Sequence, residues 1–353
     1  MKIALVYDWL DSWGGAERVL LELNRLFPQA PIYTSLYQKD KAHFARKFPQ
    51  VKTSPLQKIS FANRRWLTIL MPLAFETFNF DNFDLVISIS GFAAKGIITK
   101  PQTKHICYLL TPTRFLWYPR QYQNLKIPKT VSNYLKSWDL VAAQRPDEIV
   151  SISKTVQDRC WKIYRRKSQL IYPPVDNKFL APKQTMVKKK FFLIVSRLEQ
   201  QKKIDLAIKA FNDLGWPLVI IGTGSWEERL KRIAKKNIRF LGKVSDQKLT
   251  RYYQETQALI FPQEEDFGLV PLEAQACNTP VIAFGRGGAT ETVKIDQTGC
   301  FFYPQSSLTL KKTLSKWSQN GYNTKSFQSW VKKFSQEKFA YSWQKLIKTY
   351  AKS

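Results

Sequence analysis

What this 353-residue sequence lacks narrows its reading first. It has 2 histidines and 4 cysteines. Cys107, Cys160, Cys277 and Cys300 stand far apart with no C-x-x-C pair, so a zinc or disulfide framework is not expected and reduced thiols fit. His43 and His105 cannot build a convincing metal centre, and His105 beside an apolar run suits a structural role. No apolar stretch reaches the roughly 20 residues that cross a bilayer; the longest, Trp66 to Phe80, carries Glu76. The opening run ends at Asp8, too soon for a secretory signal, and reads as a first buried strand. Acid is scarce as well: 27 Asp and Glu against 56 Lys and Arg leave a formal charge of +29. Such a surplus attracts phosphates over long range, whether on nucleic acid, anionic lipid headgroups or a phosphorylated small molecule. For any single lysine, solvating a helix face is the simpler account.

What is present is ordinary globular material. Hydrophobic residues make up 44% and charged residues 24%, enough for two full cores, and the length suits two domains of roughly 150 to 200 residues. Strand-like and helix-like periods alternate from Ile3–Tyr7 through Ala16–Leu26, Asp84–Ser88 and Thr103–Leu110 to Glu148–Ser153 and Val156–Tyr164. A turn at Tyr172–Asp176 leads into the lysine-rich stretch Ala181–Lys190, which reads as a linker. The alternation restarts at Phe191–Ser196 and runs to Val281–Phe284. Repeated βα units build a parallel sheet covered by helices on both faces. The expected class is α/β, with two Rossmann-like domains, 1–177 and 178–334, and a closing helix over 335–353.

In such sheets ligands gather at the carboxyl ends of the strands, and the informative residues stand there. After the first strand, Gly14 and Gly15 open a helix, where paired glycines let amides approach an anion. A plain loop explains them as well, and they are not the spaced glycines of a dinucleotide site. After Phe191–Ser196 come Arg197 and Lys202; two cations at a strand-to-helix junction suit a diphosphate, and a solvated loop could also hold them. The segment Phe261–Ala274 says most. Pro271 is tolerated in a first helical turn, so the helix starts near Leu269 and the amides of Gly268, Leu269 and Val270 lack intrahelical partners. Glu265 precedes that start, beside Phe267, and Glu273 lies in the first turns, so both carboxylates can border one pocket. Helix-dipole stabilisation accounts for acids at an N-terminus, though not for this whole constellation.

These motifs resemble those of glycosyltransferase family 4, retaining enzymes of the GT-B architecture. The resemblance rests on Arg197-Leu with Lys202 and on Glu265-x7-Glu273 within Glu-Asp-Phe-Gly-Leu-Val-Pro-Leu-Glu-Ala. Gly14-Gly-Ala-Glu-Arg-Val, Phe83-Asp-Leu-Val-Ile-Ser, Thr111-Pro-Thr-Arg-Phe-Leu-Trp117 and Ile171–Asp176 extend it over nearly the whole chain. It implies two domains facing a cleft, with a last helix crossing back to the first. Arg197 and Lys202 would neutralise the donor diphosphate, Glu273 would accept from the ribose hydroxyls, and Glu265 would hold the transferred sugar at its reacting carbon. The amides of Gly268 to Val270, with Phe267 beside them and the Gly14-Gly15 loop closing over, would complete the cradle. No cofactor or metal is implied, in keeping with the absence of any D-x-D triplet. Local motifs favour mannosyltransferases and GDP-mannose, with UDP-sugars open.

Two positions depart from the family pattern: relatives commonly carry histidine where Leu110 and Gly91 stand, both in the acceptor half. Asp266 also replaces a more usual glycine. For the acceptor, Lys58–Trp66 and Arg114–Arg120 mix base with aromatic residues, as a monolayer surface with anionic lipid requires, which points to a lipid-linked or saccharide acceptor and a peripheral position on the inner membrane face. A helix packed on its own core accounts equally for Trp66–Phe75. Nucleic acid is not the expected partner, because the base spreads along the chain with no nucleic-acid module. A catalytically impaired sugar-nucleotide-binding relative and a nucleic-acid-binding protein are the alternative readings.

Overall fold

The computed structural model describes residues 1–59, 64–119, 127–180, 188–318, 322 and 324–350. Packing divides the chain into two compact units, Met1–Pro173 with Phe339–Ser353, and Pro174–Lys338, where sequence placed the divisions at 177/178 and 334/335. Most of the expected linker, 181–187, and Arg120 lie outside the described residues, as do the side chains of Arg64, Arg65 and Trp66.

The first unit is built on seven strands: β1 (Ile3–Tyr7), β2 (Ile32–Thr34), β3 (Val51–Thr53), β4 (Leu85–Ser90), β5 (Lys104–Leu109), β6 (Glu148–Ser151) and β7 (Gln169–Leu170). They pair in the order β3-β2-β1-β4-β5-β6-β7, all parallel. The central strands are aliphatic runs buried on both faces; all six residues of β4 are buried, because helices cover the sheet above and below. The helix Arg64–Glu76 sends Leu67, Met71, Ala74 and Phe75 into this core and leaves Leu70 and Leu73 exposed. His105 is wholly buried on β5, with Nε2 2.8 Å from Ser88 Oγ, and burial holds its pKa down at about 3. The last helix, Gln336–Tyr350, follows its sequence period: Phe339, Trp343 and Leu346 are buried, Trp343 meets the Tyr108 ring edge-on at 5.3 Å, and the Tyr350 hydroxyl donates to Glu148 Oε2 at 3.0 Å.

The second unit has six strands: β8 (Phe192–Val195), β9 (Leu218–Ile221), β10 (Ile238–Phe240), β11 (Leu259–Phe261), β12 (Val281–Phe284) and β13 (Gly299–Phe302). Their order is β10-β9-β8-β11-β12-β13, again parallel throughout. Phe192, Ile194, Phe211, Ile220, Ile260 and Phe302 anchor its core. Both sheets are therefore doubly wound, with the strand order reversing between β1 and β4 in one and between β8 and β11 in the other. Loops leaving two such strands diverge to opposite faces and open a crevice at their carboxyl ends.

Candidate functional site

The crevice of the second unit lies between the loops that follow β8 and β11. The first of these loops holds Arg197, exposed, and Lys202, 8% exposed at the end of a short 3-10 turn, Gln200–Lys202. Its course is fixed by backbone contacts: Leu198 N–H donates to Thr223 O at 2.9 Å and Trp226 N–H to Leu198 O at 2.8 Å. Gly222, with φ of 136°, and Gly224 belong to the neighbouring loop, and a Cβ on either would run into the backbone of Ser196 or Leu198. Two backbones can lie this close only where both glycines lack side chains.

The second loop, Pro262–Gly268, enters the helix Leu269–Ala276. Gly268 is the N-cap at φ 98°, and no side chain caps the helix. Pro271 falls in the first turn, where a missing N–H costs nothing. Lys202 Nζ donates to Glu265 Oε1, so the cation of one loop and the carboxylate of the other meet across the switch point. Glu273, 2% exposed, lies one turn into the same helix, and the Tyr253 hydroxyl donates to its Oε2 at 3.0 Å. Phe267 is buried with its ring 5.8 Å from Phe334. The structure thus gathers Lys202, Glu265, Phe267, Gly268, Leu269, Val270 and Glu273 around one strand-to-helix junction, with Arg197 at its edge. Gly14 and Gly15 belong to the other unit, where Gly14 caps the helix Gly15–Leu26 without a side-chain hydrogen bond.

Sequence reasoning passed over several residues here. The loop after β12 lies directly on the Glu265 loop: Gly287 pairs opposite Glu265, and Gly288 N–H donates to Glu265 O at 2.8 Å. A Cβ at Gly287, whose φ is 67°, would stand 2.5 Å from Glu265 O. Gln263 is 2% exposed and its Oε1 has no hydrogen-bond partner, a buried acceptor that a ligand hydroxyl could satisfy. Only the Gly-Gly pair after an apolar run could have signalled the first of these. Among the described residues no group of three or more His, Cys, Asp or Glu is placed to hold a metal ion.

The first unit has its own polar constellation at the carboxyl ends of its strands. Asp8, at the end of β1, accepts four backbone N–H groups, from Gly91 and Phe92 at Oδ2 and from Ala93 and Ala94 at Oδ1, over 2.7 to 2.9 Å. This carboxylate pins the loop after β4 to the loop after β1. A Cβ at Gly91 would sit 3.7 Å from Asp8 Oδ2, ordinary contact, so the backbone does not demand glycine there. Lys95 and Asp139 form a buried pair at 2.6 Å, and Asp139 also accepts from the Thr113 hydroxyl, the Trp117 indole and the Tyr164 hydroxyl at 2.6 to 2.7 Å. The basic-aromatic segment 114–119 is accordingly only partly a free surface: Leu116 is buried, and Trp117 spends its N–H on Asp139 because a buried carboxylate must be satisfied.

Comparison with known proteins adds to this geometry. Residues 176–334 match the family model described as glycosyl transferases group 1. The chain is 26% identical over 211 residues to an uncharacterized glycosyltransferase of Methanocaldococcus jannaschii, covering 58% of each. It is 36% identical over 114 residues, 28% of this chain and 30% of the relative, to a GDP-mannose-dependent monoacylated alpha-(1-6)-phosphatidylinositol monomannoside mannosyltransferase of Corynebacterium glutamicum. Against three curated relatives the chain spans 58%, 43% and 51% of their length, about half. The fold matches the solved structure of HepE from Anabaena in complex with UDP-glucose, with a TM-score of 0.73 over 99% of this chain and 100% of that one, at 16% identity. The fold is that of the GT-B glycosyltransferase structures, two parallel-sheet Rossmann-like units, and residues 176–334 are similar to the glycosyl transferases group 1 family.

Proposed function

We propose that the chain is a retaining, metal-independent glycosyltransferase of family 4 that moves a hexose from a nucleotide diphosphate sugar to a lipid-linked or saccharide acceptor. The observation that carries this reading is the junction at Leu269: a buried cation paired with a half-buried carboxylate across the switch point, an uncapped helix start, and Glu273 buried one turn into that helix. In it, Arg197 and Lys202 take the diphosphate, aided by the amides of Gly268 to Val270 and the positive end of the helix. Glu273 takes the ribose, with Tyr253 holding its second oxygen in place. Glu265 has two partners to serve, Lys202 in the free protein and sugar hydroxyls in the complex. Stabilising the leaving diphosphate where charge develops is the main contribution of such a site.

GDP-mannose is the favoured donor, by analogy with the mannosyltransferase relative; the HepE structure keeps UDP-glucose as the second candidate. A lipid-bound acceptor is supported by the charge of +29 and by exposed apolar residues of the first unit, Leu70 and Leu73 on one helix and Tyr134 and Val141 on the helix Lys129–Ala142. Among the described residues no helix is long and apolar enough to cross a membrane. Gly91 and Leu110 favour a second reading, a sugar-nucleotide-binding relative with impaired transfer.

The deciding experiment incubates the protein with GDP-mannose, UDP-glucose and UDP-N-acetylglucosamine in EDTA, following ligand-induced thermal shift and release of free nucleotide. One donor should shift the melting temperature, and the shift should vanish in Glu273→Ala and Arg197→Ala. Binding without turnover in the presence of candidate lipid acceptors would favour the impaired relative. A well-folded protein that binds none of them refutes both readings.

A further inference from the structure

Tyr253 stands outside the sequence motifs, 20 residues before Glu273, on the separate helix Asp246–Glu255. It is bound to the helix that bears Glu273, and to the turn that ends it, at two points. Its hydroxyl donates to Glu273 Oε2 at 3.0 Å, and its backbone carbonyl accepts from the Thr279 hydroxyl. Thr279 in turn donates its N–H to Ala274 O at 2.9 Å, which joins that turn to the helix beside Glu273. Tyr253 and Thr279 are both wholly buried, and the Phe179 ring meets the Tyr253 ring edge-on at 5.9 Å. A tyrosine held at its ring and at its backbone keeps its hydroxyl in one place relative to the glutamate it serves.

An ionised carboxylate accepts and cannot donate, so the phenol is the donor in this bond, a charge-assisted contact of the stronger kind. Ordering a glutamate side chain costs conformational entropy, and a hydrogen bond made in the free protein meets that cost before a ligand arrives. We propose that Tyr253 is a positioning residue that sets the donor site's preference for ribose. By holding Glu273 in one orientation it makes the carboxylate a pre-formed acceptor for the ribose hydroxyls, without touching the nucleotide itself. This inference rests on the donor reading above, in which Glu273 takes the ribose. A hydroxyl that served only to satisfy a buried acid would support stability and leave the choice between ribose and dideoxyribose unchanged.

The test is calorimetric titration of the full chain with GDP and UDP, with their dideoxyribose counterparts, and with inorganic pyrophosphate. Wild type, Tyr253→Phe, Glu273→Ala and the double variant are compared. Tyr253→Phe keeps the ring that packs on Phe179, and bound pyrophosphate reports that the diphosphate end of the site is intact. Removing the hydroxyl should weaken the ribonucleoside diphosphates about tenfold and change the dideoxy ligands and pyrophosphate by less than about twofold. With Glu273→Ala already present, Tyr253→Phe should cost nothing further, because the hydroxyl acts through that carboxylate. Thr279→Val, which removes the second attachment, should show a smaller loss of the same selective kind. Equal weakening of every ligand by Tyr253→Phe and by Thr279→Val, or a ribose preference unchanged from wild type, overturns this inference and leaves the donor reading standing. Wild-type protein that binds ribose and dideoxyribose ligands equally tightly overturns it together with the ribose role of Glu273. Wild-type protein that binds no nucleoside diphosphate overturns the donor reading as well.

Discussion

The Lys202–Glu265 pair makes opposite demands on stability and on ligand binding, and two variants separate them. Lys202 is almost enclosed, with 10% of its side chain exposed, and Glu265 retains 23%. Removing one partner of a buried ion pair costs about 3–5 kcal/mol, and the residual solvent access here reduces that to roughly 2 kcal/mol. For a domain the size of the second unit this corresponds to a fall in melting temperature of about 4–8 °C. Lys202→Met and Glu265→Gln should each show it, and the double variant should recover most of it, because an apolar and a neutral side chain strand no charge. Nucleoside diphosphate binding should part the two variants. Lys202→Met loses a cation and should weaken it about tenfold or more, whereas Glu265→Gln frees the Lys202 ammonium and should preserve or tighten it while transfer falls by about 10² or more. Differential scanning fluorimetry, calorimetric titration and a donor-turnover assay on the same preparations read all three. If Glu265→Gln weakens diphosphate binding as much as Lys202→Met does, the pair acts as a structural unit and the assigned roles are wrong.

Four further outcomes follow from the same geometry. Gly288→Ala should lower the melting temperature and nucleotide affinity together, since its Cβ would meet the Phe267 backbone; a cost of about 1–3 kcal/mol is expected from overpacking, and unchanged stability would place the glycine outside any tight contact. His105 is neutral in the fold down to about pH 3 but titrates near 6.5 when unfolded. The unfolded state then binds more protons between those values, so stability is full above about pH 6.5 and declines toward pH 3 at ~1.4 kcal/mol per unit. Melting curves of His105→Asn against wild type should show a flatter acid limb, and parallel curves would contradict the buried neutral imidazole. Donor turnover in EDTA should equal turnover with added Mg²⁺ or Mn²⁺. Flotation with vesicles containing anionic lipid should carry the protein at low salt, less so with Leu70→Glu/Leu73→Glu, and not at all with neutral vesicles; equal flotation of the double variant would remove the helix Arg64–Glu76 from any membrane face.

How much of this was legible in the sequence depends on the distance over which each signal acts. The strand-to-helix junction at Leu269 is a local matter, fixed by Gly268, Pro271 and the apolar run before them, and the structure starts the helix at that residue. The last helix shows its buried face in its own period, Phe339, Trp343 and Leu346. The short strands β2, β3, β7 and β13 were not anticipated; each is two to four residues long, too short for a period-2 pattern to emerge. The supports of the site were hidden for a different reason. Tyr253 reaches Glu273 from another helix, and Gly222, Gly224, Gly287 and Gly288 matter only because a second backbone passes within contact of theirs. A glycine in sequence says that a close approach is allowed, never what approaches. Asp8 read merely as the residue that ends a strand, yet it gathers four amides from a loop more than eighty residues away. Motif reasoning therefore finds the groups that would touch a ligand, because their chemistry is their own, and misses the groups that hold them, whose chemistry is defined by the neighbour.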